Sequence, residues 1–410
     1  MSFVLQRSNH EESLTRIRDG VSSLQKLACL NVELEPERKL RSQGRLNKLV
    51  RDMSGSIYQA LRSTITCGCP SLHDVGLRLA PPSRTMVPED DDDEVAKELQ
   101  FRLVISHRPP SSATQWGELL LKMTGSVREE QAAVAEPSRS VKFAIPKRVS
   151  AADENRSVVL KSAMANLAIS TAVLMPIHPA AQTIKNLCET TQRIEKKGYH
   201  CGRVTDCQSP KKREYSVYTL DRFDGDWALI PIRHVLQAKP SSPLLYGDKL
   251  RLAWIIACSV LQMHGTPWMS SSPTHSNIYL LHRQGIPQYQ HVFALKHLPE
   301  RDTATSAADI PTLLSLGILL IELILGQTME DLHATPPGEE GVAGLISVYE
   351  AATKLLGRVN MVGGHGYHSA VERCIRCDVY GRDLAGQNEL LSDAFAGIVG
   401  PLEQDLRNLL

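Results

Sequence analysis

Thiols and imidazoles are the side chains whose spacing comes nearest to a recognisable chemistry. Cys67-x-Cys69 is followed by His73, and Cys374-x-x-Cys377 stands far downstream. Four such ligands around one ion would make a tetrahedral zinc site. The Cys374 pair has knuckle spacing, whereas Cys67 and Cys69 are closer than usual and lie near the other end of the chain. Cysteines three apart on a helix also commonly face one core. Cys67, Cys69, His73, Cys374 and Cys377 are therefore zinc candidates set against a plainer expectation of no metal and no cofactor. A redox reading of Cys374-x-x-Cys377 lacks a preceding thioredoxin-like βαβ pattern.

Other spacings carry less. Gly363-Gly364-His365-Gly366 invites a phosphate cradle, but that needs a strand before it and a Lys-bearing helix after it. Here a helical pattern precedes and Tyr-His-Ser follows, so an interhelix loop is expected. Serine, histidine and acid are plentiful, yet no Gly-x-Ser-x-Gly elbow localises a hydrolase. Basic clusters at 38–51 and 196–212 read as solvated faces.

These residues need elements to hold them. Leu14, Ile17, Val21 and Leu24, then Leu46, Val50, Met53, Ile57 and Leu61, recur at helical spacing around a polar break at Glu33–Arg41. The pattern predicts two amphipathic helices over 12–65, arranged as a hairpin. Their stripes suit either a partner or the rest of this chain, and the second use is the plainer one. Strands are expected at 73–79 and 99–106, with the acidic run 89–94 as a solvated loop between them. Residues 108–158, rich in Pro, Ser and charge, read as loop or linker. A helix is expected at 184–194, a strand at 214–221, and a short helix ending near 236. The helix Asp248–His264 is the most strongly patterned, and Gly265 stops it. Short strands at 277–281 and 291–295 flank a turn. Helices follow at 311–326, 342–357, 367–378, 388–399 and 401–409. The expected class is α+β and predominantly helical. It divides into a helical segment (1–65), a strand-bearing region with linker loops (66–182) and a helical domain (183–410).

Composition narrows the function. The chain has 410 residues, 46 Lys+Arg against 45 Asp+Glu, and 42% hydrophobic residues. It is too apolar and too evenly charged to be disordered. It also lacks the basic field of a nucleic-acid binder. Nine cysteines at irregular spacing fit reduced intracellular thiols. No apolar leader is visible, and Leu313–Leu325 is too short to span a membrane, so a cytoplasmic location is expected.

The downstream order of elements resembles a protein-kinase C-lobe. A helix ends in Leu-Gln-Met-His-Gly, a β pair follows, and Asp309 leads into an apolar helix with Leu316-Gly317 and Glu322-Leu323. More narrowly, the chain resembles an uncharacterised kinase-like family of filamentous fungi. Several segments carry that likeness: Cys67-x-Cys69-x-x-x-His73, Gly247 to Trp268, Leu316 to Leu323, Tyr367 to Cys377 and Pro401 to Arg407. It covers roughly residues 40–410. It implies a kinase-like C-lobe with a small degenerate N-lobe-like sheet, and a fungal source; it attaches no activity.

The resemblance also says where kinase chemistry should lie. Phosphoryl transfer needs a catalytic-loop Asp two residues after a His, an Asn beyond it, and a metal-binding Asp. His264 takes the histidine position, but Gly265-Thr266-Pro267-Trp268 follows it. Asn277, matched to the asparagine, lies 13 residues downstream, and no Asp or Glu occurs between Asp248 and Glu300. His264 and Asn277 are thus degenerate catalytic-loop positions, and no catalytic residue is assigned. Lys142, Lys147 and Lys161 stand as weak candidates for a phosphate lysine. The expected function is a pseudokinase-type interaction or regulatory module with a protein partner. Its competitors are an atypical phosphotransferase with relocated metal ligands and an accessory role in a fungal pathway such as secondary metabolism or incompatibility signalling.

Overall fold

Alternating apolar residues at 73–79 and 100–107 form paired strands, and the rest of a single sheet grows from them. The computed structural model describes residues 2–69, 72–80, 92–107, 114–126, 182–193, 197–209, 212–223, 227–237, 244–269, 273–284, 286–298, 312–332, 342–377 and 388–409. The strands are β1 (His73–Leu79), β2 (Gln100–His107), β3 (Gln115–Ser126), β4 (His200–Asp206), β5 (Arg213–Phe223), β6 (Trp227–Pro231), β7 (Ile278–Arg283) and β8 (Ile286–Leu298). Their order is β4-β5-β3-β2-β1-β8-β7-β6, and every pair is antiparallel. The sheet is not small: β1 pairs with β8 along its whole length, so strands from before and after residue 183 share one sheet.

β3 lies where a linker was expected. Its Leu119, Leu120, Leu121 and Met123 are all buried between β2 and β5. Trp116 and Leu120 on one face and Leu119, Leu121 and Met123 on the other are all buried, and a strand covered on both faces reads as a continuous apolar run that period-2 alternation does not reveal. β4, inside a stretch read as a basic loop, was equally unforeseen. The acidic run also departs from expectation, because Asp92, Asp93 and Glu94 form the first turn of α2 (Asp92–Glu98). Carboxylates are favoured there by the helix dipole. Residues 89–91 lie outside the described residues.

α1 (Ser2–Thr64) is one helix, not a hairpin, and runs through Pro36. The polar stretch 33–41 consists mostly of good helix formers. It carries i,i+4 ion pairs between Lys39 and Glu35 (2.6 Å) and between Arg41 and Glu37 (3.3 Å), so polarity there marks a solvated turn and not a break. The two stripes part ways. Leu46, Met53, Ile57 and Leu61 are wholly buried, whereas residues 11–41 are exposed throughout.

The buried half of α1 touches both the sheet and the helices. Trp268 Nε1 donates to Ser54 O (2.8 Å), Gln262 Nε2 to Asn47 Oδ1 (3.0 Å) and Tyr215 Oη to Met53 O (3.5 Å). After α3 (Leu187–Arg193) and α4 (Ile232–Gln237) comes α5 (Tyr246–Met263), whose apolar stripe is buried from Leu250 to Met263. α6 (Thr312–Leu325) and the single turn α7 (Met329–Leu332) follow. α8 (Val342–Cys377) holds both predicted helices in one element with a kink at Gly364, whose φ of 81° suits glycine. α9 (Asn388–Leu409) likewise continues through Pro401. α6 and α8 approach closely where Gly317 faces Cys374, and Tyr367 Oη donates to Leu320 O (2.7 Å) across the same contact. Among the described residues no helix is long and apolar enough to cross a membrane.

Candidate metal centre

The segment leaving α1, the first residue of β1 and the first turn of α3 converge at one end of the sheet. Thr66 Oγ1 donates to Lys185 O (3.4 Å), joining the first and third of these. Ahead of α3, Thr183 bridges to Arg203 of β4, and Asn186 Oδ1 accepts from Glu189 N (3.3 Å), capping the helix. α3 is thereby anchored with Leu187 and Cys188 buried.

This convergence gathers Cys67, Cys69, His73 and Cys188, whose donor atoms all lie within 4.8 Å of one another. Cys69 Sγ is 3.8 Å from Cys188 Sγ, and Cys67 Sγ is 2.8 Å from His73 Nε2. His73 is buried, and its Nδ1 lies 2.7 Å from Ser106 O. A carbonyl oxygen can only accept, so Nδ1 carries the proton and Nε2 presents its lone pair to the thiols. Ser106 is held in turn, since its Oγ accepts from Asp74 N (2.7 Å). Around Cys188, Gln192 Nε2 donates to the sulfur at 3.5 Å and His107 Nδ1 lies 3.8 Å from it. Burial, then the neighbouring Cys67, pushes the Cys188 thiol well above its usual range. Burial and a hydrogen bond with Cys67 push Cys69 up as well.

Three of the five zinc candidates from the sequence are thus brought together: Cys67, Cys69 and His73. Cys374 is not in this group; it is buried in α8 against Gly317. The side chain of Cys377 lies outside the described residues. The fourth donor is Cys188, which sequence reasoning missed. The available signal was the incomplete ligand set at 67–73, in a chain with further unassigned cysteines.

The degenerate catalytic positions sit elsewhere. His264 caps the C-terminus of α5 with φ −52° and ψ 132°, and Gly265 follows at φ 74°. Asn277 Oδ1 accepts from Thr274 Oγ1 (2.8 Å) at the start of β7. Between them, His275 Nδ1 lies 2.8 Å from Glu322 Oε2, a buried carboxyl of α6 whose Oε1 accepts from Met329 N (2.7 Å). Lys142, Lys147 and Lys161 lie outside the described residues.

Residues 44–409 match the family described as a domain of unknown function, DUF7580. The chain belongs to that family. No curated protein matches this DUF7580 chain. Among solved structures it is similar to a chain of the complex of Neurospora crassa PAN2 (WD40-CS1) with PAN3 (pseudokinase and C-term). The identity is 9%, over 87% of this chain and 69% of that one, with a TM-score of 0.28. It is also similar to the kinase domain of Mycobacterium tuberculosis PknI, at 11% identity over 76% of this chain and 92% of that one, with a TM-score of 0.25. These likenesses are weak and kinase-type, and neither bears on the arrangement of individual residues.

Proposed function

We propose that this DUF7580 chain is a non-catalytic, pseudokinase-type module that acts by binding a protein partner. The observation that carries the reading is the acid-free stretch between Asp248 and Glu300, which contains all but the first turn of α5, and β7 and β8. A magnesium ion on nucleotide phosphates needs carboxylate ligands, and the two positions that resemble a catalytic loop do other work. His264 ends a helix and Asn277 closes a turn. The test is a calorimetric titration of the full chain with MgATP, together with an assay for γ-phosphate transfer. No magnesium-dependent binding and no transfer are expected. Magnesium-dependent binding with turnover overturns the reading in favour of a phosphotransferase with relocated ligands.

The binding half of the proposal rests on α1. Leu14, Ile17, Val21 and Leu24 are 57–67% exposed along one face of the helix. Their alternating three- and four-residue steps make a seam that a second copy of α1 matches layer for layer. Sedimentation of the full chain over a range of concentrations should show reversible self-association, lost in Ile17→Glu/Leu24→Glu with the thermal midpoint unchanged. A wild-type chain that stays monomeric overturns the self-pairing.

A further inference from the structure

We propose that Cys67, Cys69, His73 and Cys188 form a closed structural zinc site that fastens the end of α1 and the start of β1 to α3. The inference is independent of the nucleotide question. The donor set is three soft sulfurs and one imidazole, which selects zinc over hard cations. The geometry is near that of the filled site. A zinc ion about 2.3 Å from each sulfur sets tetrahedral S–S edges of about 3.8 Å, and Cys69 and Cys188 already stand 3.8 Å apart. The Cys67–His73 pair is tighter, at 2.8 Å, and would open slightly around an ion.

The surroundings match those of metal ligands. Metal-bound histidines commonly donate their other ring N–H to a carbonyl or carboxylate, which fixes tautomer and ring plane. His73 does this to Ser106 O at 2.7 Å. Gln192 and His107 supply polar neighbours to the Cys188 sulfur. Four protein donors leave no open position for substrate or water, the mark of a structural and not a catalytic site. A disulfide is the alternative for Cys69 and Cys188, but it would use neither Cys67 nor the lone pair of His73.

The candidate ligands come from both sides of a long chain interval, Cys188 lying 119 positions after Cys69. Holding that interval closed is what such a site would do. It fixes α3 against the sheet end and ties the last residues of α1 to both.

The test uses the full chain purified under reducing conditions without added metal or chelator. Mass spectrometry of metals should find one zinc per chain. Cys188→Ser and His73→Ala should lose most of it, while Cys374→Ser keeps it. Because a ligand variant may simply misfold, thiol alkylation of the unaltered chain gives a second reading. Cys29, Cys69 and Cys207 are all exposed. With zinc bound, Cys29 and Cys207 should react at once and Cys69 only after a strong chelator is added. Refilling the stripped chain with cobalt should give the visible bands of tetrahedral thiolate coordination. Absence of bound zinc together with failure to take up cobalt overturns the proposal. So does prompt alkylation of Cys69 alongside Cys29, or a Cys69–Cys188 disulfide in the chain as purified.

Discussion

Replacing Glu322 tests how the apolar helix α6 tolerates its one acid. The carboxyl is 1% exposed, and both of its oxygens are used, by His275 Nδ1 at 2.8 Å and by Met329 N at 2.7 Å. Glu322→Ala removes the acceptor for two donors at once. Breaking a buried pair by deleting one partner costs about 3–5 kcal/mol. His275 is partly exposed and water can reach it, so the expected loss lies at the lower end, about 3 kcal/mol. Glu322→Gln keeps one carbonyl acceptor and should lose only about 1–2 kcal/mol. His275→Ala should cost about 1–2 kcal/mol, and a double-mutant cycle with Glu322→Ala should give a coupling of about 1–3 kcal/mol. Urea unfolding of the four chains, with equal m-values, supplies the numbers. A coupling below about 0.5 kcal/mol, or equal losses for Gln and Ala, would refute the assignment of Glu322 as a structural acceptor.

Three further outcomes follow from particular residues. On α1 the same substitution should have opposite weight in the two halves. Leu61→Ala should cost about 3 kcal/mol and Leu24→Ala no more than about 0.5 kcal/mol, and a comparable loss at both sites would mean that the exposed half is docked. Gly317→Ala puts a methyl 3.0 Å from Cys374 Cβ and 3.3 Å from Ile375 Cγ1, so α6 and α8 must part at a cost of about 1–3 kcal/mol. Gly357→Ala, with nothing within 4 Å of the new methyl, should instead raise the melting temperature through helix propensity, and the two shifts should differ in sign. Burial, reinforced by Arg78 and Arg102, pushes His291 down to about 4. The unfolded chain takes up that proton near about 6.5, so stability is full above that value and falls as the pH drops towards about 4. With the ring half-buried the effect is about 1 kcal/mol. His291→Gln should flatten that limb of the stability profile, and an unchanged slope would sink the attribution.

What the sequence made legible follows the strength of its periodicities. α5 and α6 stand within two residues of the expected bounds, because an uninterrupted apolar stripe closed by Gly265 or Gly326 has no strand reading. The hairpin β7–β8 and strands β1, β2 and β5 were legible for the same reason. β3 was hidden because a strand buried on both faces loses its alternation, and β4 because its residues alternate without strong apolar character. Pro36 and Pro401 sit inside continuous helices, where the flanking turns and, for α9, packing against α5 and α8 outweigh one missing backbone bond. Of the candidate metal centre, the sequence showed the three candidate ligands that are close together in the chain. Cys188 could not be read because its proximity is set by α3 docking on β4 and the sheet end, through contacts that no local pattern encodes.

The bounds of the family and the burial of α1 coincide, and that divides the helix by role. The match begins at residue 44, and α1 passes from exposure to burial between Arg41 and Leu46. From there onward its residues bind the backbone and side chains of both layers: Asn47 to Gln262, Met53 to Tyr215 and Ser54 to Trp268. This half is the mast on which sheet and helices are mounted, and the four-ligand cluster lies just past its end. Before residue 44, Pro36, Lys39, Leu40 and Gln43 still line a groove with α9, whereas residues 11–34 stay exposed and yet carry apolar residues at helical spacing that water alone would not favour. The seam proposed at Leu14–Leu24 thus lies outside both the packed half of α1 and the region the family shares.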